Sequence, residues 1–292
     1  MFDFLNKVGV KKFSHDNRFN EWEKELRTRI TPETNFYYKK SKDFNKTFVF
    51  EKTSLTTMPS FSVRHYLEEA IYLIFTKFDE QVSNAYLQVS LDIANAILAL
   101  PQSETERWNG EDLYIKKNRP SILIDKLFIE ALLADENIDM TELAGVSDSL
   151  LNYLKVYKGS LWEDVTQSQY LSSIWYLMIA GQLQDAKAHL SVRKSFRYTE
   201  NLYNWTKQLN KLLIEQQSGA EVGAEINAMF DEVFDVIRSP YWKTDRQKEE
   251  NKFPITMNPN YVRLQLAIIR WLYVEKQPLK GHWNEVLAQV SR

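Results

Sequence analysis

One stretch of the chain, residues 169–190, has the sequence QYLSSIWYLMIAGQLQDAKAHL. Its first half is apolar enough to be buried, and Ile174, Trp175 and Met178 are spaced to pack towards a core. Gly181 interrupts the apolar run, and polar and small side chains alternate after it. A glycine directly after an apolar helical run is a typical end of a helix. The stretch therefore predicts a helical hairpin that turns at Gly181.

The same helical spacing of apolar residues recurs along the chain. Leu67 and Ile71 belong to one such stripe, and Ile226, Met229 and Val233 belong to another. The 292 residues include only eight Gly and eight Pro, whereas β-rich folds need frequent turn residues. We therefore expect an all-α protein, built as an irregular array of antiparallel helical hairpins.

Prolines are expected to separate these helices, because proline cannot continue the hydrogen-bond ladder of a helix. Pro120 and Pro259 are two such predicted boundaries. Residues 46–54, KTFVFEKTS, alternate enough to predict a short strand or an extended arm near the N-terminus. We expect residues 1–60 to form an N-terminal arm or helix that packs on the main domain, and residues 61–292 to form one continuous helical domain.

The composition excludes several classes of site. The chain contains no Cys, which excludes disulfide frameworks, thiolate zinc sites and cysteine catalysis. Neither glycine-rich phosphate-binding pattern, GxxxxGK[ST] or GxGxxG, occurs. His65 and Glu69 could share a helix face, but a stable metal site needs three or four ligands. We expect no cofactor, no metal and no enzymatic activity; an enzyme whose site the sequence hides is the alternative.

Charge and hydropathy bear on location and on partners. The formal net charge of −2 does not favour binding to nucleic acid or to anionic membranes. The first residues lack a long apolar run followed by a cleavage site, so no secretory signal is predicted. The most apolar window, residues 170–180, has about half of the roughly 20 residues that span a bilayer. We expect a soluble, cytoplasmic protein that contacts neither nucleic acid nor membrane directly.

Acidic residues are concentrated in two regions. Residues 101–170 contain thirteen acidic and seven basic residues, and residues 215–235 contain six acidic and no basic residues. An acidic helix stripe suits a basic partner such as a nuclease, whose own site is built to hold phosphates; an ordinary solvated helix face is the alternative. Tryptophans in connections can also anchor a partner. The predicted partner-binding residues are Glu221, Glu225, Glu232, Asp235, Asp135, Glu136, Asp139, Trp108 and Trp242.

Two segments resemble a family of bacterial immunity proteins. Residues 173–190, SIWYLMIAGQLQDAKAHL, are similar to that family's apolar helix, A-G-x turn and x-x-A-x-x-L helix. Residues 257–287, MNPNYVRLQLAIIRWLYVEKQPLKGHWNEVL, are similar to its closing helix, turn and short apolar segment. The family is the mostly helical group numbered forty-nine among those that guard against polymorphic toxins. Lys276 and Gln277 stand where this pattern has a glycine turn.

The resemblance implies an immunity protein that binds a cognate secreted toxin and occludes the active site of that toxin. It covers under a fifth of the chain and implies no particular binding residues. The residues themselves leave a second function open. Because residues 263–290 are a loose second copy of the first hairpin, the chain is also consistent with a helical-repeat adaptor that binds a peptide or a protein partner.

Overall fold

The computed structural model describes residues 63, 67, 70–71, 80–99, 112–156, 164–192, 200–238 and 259–290. All regular secondary structure in these residues is helical, which confirms the all-α prediction. The predicted N-terminal arm and its strand at residues 46–54 lie outside them. The helices of these ranges are α1 (Glu80–Ala99), α2 (Asp112–Ala134), α3 (Met140–Val156), α4 (Asp164–Ile179), α5 (Leu183–Leu190), α6 (Glu200–Gln217), α7 (Gly223–Arg238), α8 (Pro259–Arg270) and α9 (Trp283–Val290), with a π-helical segment, Trp271–Glu275, directly after α8.

The chain divides into two compact units, residues 1–136 and residues 137–290. The domain boundary predicted after residue 60 lies outside the described residues, so that division stays a prediction. In the first unit, α1 packs against α2. The Ser83 hydroxyl donates to the carbonyl of Ala70 at 3.1 Å, and the Ser90 hydroxyl donates to the carbonyl of Val63 at 2.7 Å. These bonds join α1 to the buried helical residues that precede it.

Helix α2 continues through Pro120, so the helix boundary predicted there is wrong. A proline in a helix interior removes one backbone donor and usually kinks or breaks the helix. The residues that follow it include Ile124, Phe128 and Ile129, all completely buried. Burying each such side chain stabilises the fold by about 1.5–3 kcal/mol, which outweighs the one missing hydrogen bond. Pro259 does begin a helix, because the first helical position does not need the N–H that proline lacks.

Helix α4 lies at the centre of the second unit. Every residue from Tyr170 to Ile179 is buried. The helix contacts α3, α5, α6 and α8, so neighbours cover it on several sides. A helix that is apolar all round is typical of such a buried position.

The turn that follows α4 is closed by two backbone hydrogen bonds. The N–H of Gly181 donates to the carbonyl of Met178 at 3.0 Å, and the N–H of Gln182 donates to the carbonyl of Leu177 at 2.9 Å. Gly181 has a φ of +78°, a left-handed conformation that glycine adopts without steric cost. The predicted hairpin that turns at Gly181 is therefore confirmed.

Helices α4 to α8 form a closed ring, in which each helix contacts the next and α8 contacts α4. Two buried polar pairs join α4 to α8. The Ser172 hydroxyl donates to Oε1 of Gln265 at 3.1 Å, and the Tyr176 hydroxyl donates to the hydroxyl of Tyr261 at 3.2 Å. From the first pair to the second, the residue number on α4 rises by four and the residue number on α8 falls by four. The two helices therefore run antiparallel. The ring joins residues that are 93 positions apart in the chain.

The chain reverses again after α8, at residues 276–277, where the sequence predicts a turn. Lys276 there has a φ of +54°, so the left-handed conformation is present without a glycine. The indole N–H of Trp271 donates to the carbonyl of Pro278 at 3.0 Å and braces the turn. Helix α9 then packs back on α8, so residues 259–290 form a second helical hairpin.

Candidate partner-binding surface

Helix α7 has one apolar face and one acidic face. The side chains of α7 that are buried against the rest of the second unit are Ile226, Met229, Phe230, Val233 and Phe234. The exposed side chains are Ala224, Glu225, Ala228, Asp231 and Glu232. The 3.6-residue helical period separates the two sets onto opposite sides. Glu225 and Glu232 lie on the side opposite the apolar face, as the sequence predicts, whereas α7 begins at Gly223, so Glu221 lies in the connection before the helix.

Two neighbouring helices fix the rotation of α7. From α6, the indole N–H of Trp205 donates to the carbonyl of Met229 at 3.1 Å, and the rings of Trp205 and Phe230 form a T-shaped pair with centroids 5.9 Å apart. From α8, the Arg270 guanidinium contacts Asp231 at 3.4 Å and donates to Oδ1 of Asn227 at 3.2 Å. Further rotation of α7 would break all of these contacts. The exposed acidic face is therefore held in one orientation.

The carboxylates on this face differ in their surroundings. Asp231 faces the cationic Arg270, which offsets part of its charge. Glu225 and Glu232 are exposed and form no ion pair within the described part of the chain. They are seven residues apart, which places them on the same side of the helix about 10 Å apart along its axis. Such a pair of carboxylates attracts cationic side chains of a partner.

The predicted residues at the end of α2 are exposed, and one of them shapes the chain. Asp135 has a φ of +50° and ends α2 in the left-handed conformation. The N–H of Glu136 then donates back to the carbonyl of Ala131 at 3.0 Å. Asn and Asp tolerate this conformation better than most other residues. Asp135 thus has a structural role that its acidic character alone did not indicate.

Asp139 caps the N-terminus of α3. Its Oδ1 atom accepts hydrogen bonds from the backbone N–H groups of Thr141 at 3.0 Å and Glu142 at 2.9 Å. Helix starts leave such N–H groups without partners, and an Asp side chain at this position satisfies them. The carboxylate is exposed, so the capping role and the predicted partner contact do not exclude each other.

Three of the predicted site residues lie wholly or partly outside the part of the chain that the structure describes. Trp108 and Trp242 lie outside the described residues. Asp235 lies in α7, three residues after Glu232, and only its backbone is described. His65 and Glu69, the residues weighed as metal ligands, also lie outside the described residues. Among the residues that are described, no three His, Asp or Glu side chains come together as a metal site would require.

One polar pair of the structure had no signal in the sequence. His189 is almost completely buried, and its Nε2 atom lies 2.9 Å from Oδ1 of Asp148 on α3. The other carboxylate oxygen of Asp148 accepts a hydrogen bond from Asn152 at 2.8 Å. The Nδ1 atom of His189 is buried and has no hydrogen-bond partner among the described residues. Because Asp148 and His189 are 41 residues apart, no local pattern could have predicted the pair.

Comparison of the chain with protein-family models, curated proteins and solved structures found no match. The likeness of residues 173–190 and 257–287 to immunity proteins therefore stays a prediction. Within the described ranges, no helix is both long enough and apolar enough to cross a membrane.

Proposed function

We propose that this chain is an immunity protein, which binds a cognate secreted toxin and occludes the toxin's active site. The acidic face of α7 contacts basic residues of the toxin. In a nuclease toxin, the carboxylates of that face take the place of substrate phosphates. Charged groups at the rim of such a contact speed association and select the partner, while a few buried anchors supply most of the affinity.

One observation carries the proposal: Glu225 and Glu232 are exposed on a helix whose rotation α6 and α8 fix. A surface that is already ordered loses little conformational entropy when a partner binds to it. Carboxylates without a counter-ion among the described residues keep their attraction for a basic partner. Both properties suit a tight protein inhibitor.

The ring of helices supports this proposal over the helical-repeat adaptor. An open array of hairpins presents a concave surface along which a peptide can lie. In the ring, α4 and α8 pack against each other through Ser172, Gln265, Tyr176 and Tyr261. Those inner helix faces are thereby covered within the chain itself. An outer face such as that of α7 is then the more suitable contact surface.

Co-expression tests the function directly. The chain is produced together with the product of the neighbouring gene, and both cell growth and complex formation are measured. We expect a stable one-to-one complex and relief of toxicity. The proposal is wrong if the neighbouring product is toxic and the chain neither binds it nor relieves its toxicity.

Charge-neutralising variants test the surface, with a control that has the same net charge. Glu225→Gln/Glu232→Gln removes two charges from α7, and Asp185→Asn/Glu275→Gln removes two exposed charges elsewhere in the second unit. Exposed ion pairs are worth about 0.2–1 kcal/mol each. We therefore expect the α7 variant to bind the toxin about two- to thirty-fold more weakly, mainly through slower association. Equal weakening by both variants would mean that overall charge acts instead of the α7 face.

A further inference from the structure

We draw no further inference here: the strongest candidate, the side-chain cluster of His189, Asp148 and Tyr170 where the end of α5 meets α3 and α4, is accounted for by contacts that hold these helices together, and nothing in the described residues shows what the buried Nδ1 atom of His189 would bind.

Discussion

Lys276 adopts a backbone conformation that side chains with a Cβ atom rarely tolerate. Its φ of +54° costs a residue other than glycine about 1–2 kcal/mol. Glycine would remove this cost and lose some of the gain through its greater freedom in the unfolded chain. We expect Lys276→Gly to raise the free energy of unfolding by up to about 1 kcal/mol, measured by urea denaturation.

The neighbouring position supplies the control for this prediction. Glu275 is exposed and ends the π-helical segment with φ outside the left-handed region. A glycine inside helical backbone lowers stability by roughly 0.5–1 kcal/mol. Glu275→Gly should therefore be destabilising. If both glycine variants shift the urea midpoint in the same direction, relief of backbone strain at Lys276 does not explain the effect of Lys276→Gly.

Tyrosine hydroxyls donate to carbonyl groups near the ends of α4 and α5. Tyr273 donates to the carbonyl of Met178 at 2.6 Å, and Tyr170 donates to the carbonyl of His189 at 2.9 Å. Helix ends leave such carbonyls without an intrahelical partner or with a weak one. Burial raises the pKa of the Tyr170 and Tyr273 hydroxyls above their ordinary value near 10. Both bonds therefore exist only while the hydroxyls remain protonated.

These raised pKa values predict how stability depends on pH. Since the folded-state pKa of each tyrosine exceeds the unfolded-state pKa, its contribution is complete below about pH 10 and is lost as the pH rises further. Each tyrosine can lower the free energy of unfolding by at most about 1.4 kcal/mol per pH unit there. We expect Tyr170→Phe/Tyr273→Phe to show a shallower decline than the parent protein between pH 9.5 and about pH 11.5. Identical slopes in urea titrations would contradict the prediction.

At the start of α3, two variants of Asp139 distinguish its role as a helix cap from a contact with the partner. Asp139→Ala removes the acceptor for the N–H groups of Thr141 and Glu142, which should cost about 1 kcal/mol of stability. Asp139→Asn keeps a good capping side chain and removes the charge, so its stability should change little. Thermal unfolding of both variants checks this expectation. If Asp139→Asn binds the toxin more weakly than the parent protein does, the lost charge contacts the partner, because this variant keeps the helix cap.

Local signals were sufficient for some elements and not for others. The apolar spacing before Gly181 and the glycine itself are neighbours in sequence, so the α4–α5 hairpin could be predicted. The left-handed conformation of Lys276 could not be predicted from the residue itself, because lysine has no preference for that conformation. Pro120 misled the prediction for a related reason, since burial of the residues after it overrides the local rule.

In the second unit, the contact between α4 and α8 closes the ring. Ser172 and Gln265 satisfy each other's buried polar groups, with the Gln265 amide donating to the Ser172 hydroxyl at 2.9 Å. Removing one partner leaves the other buried without a hydrogen bond, which costs about 1–3 kcal/mol. We expect Ser172→Ala and Gln265→Leu each to destabilise the protein. The double variant should be less destabilised than the sum of the two, as measured in a double-mutant cycle.

Additive losses in that cycle would show that the pair does not act as a unit. The Ser172–Gln265 pair also lies in the contact between α4 and α8, which no sequence pattern indicated. Which helices are apolar could be predicted from their periodicity, and so could the acidic side of α7. That α4 and α8 meet across 93 residues could not, because many pairings of apolar helices satisfy the same pattern.

The closing of the ring has a consequence for synthesis of the protein. Helix α4, buried from Tyr170 to Ile179, leaves the ribosome long before α8, which helps to cover it. At typical rates of roughly 5–20 residues per second, the interval is on the order of 5–20 s. During that time the side of α4 that α8 covers stays exposed on the nascent chain, whereas α3, α5 and α6 are already synthesised and can cover its other sides. The second unit can therefore bury all sides of α4 only after α8 has been synthesised.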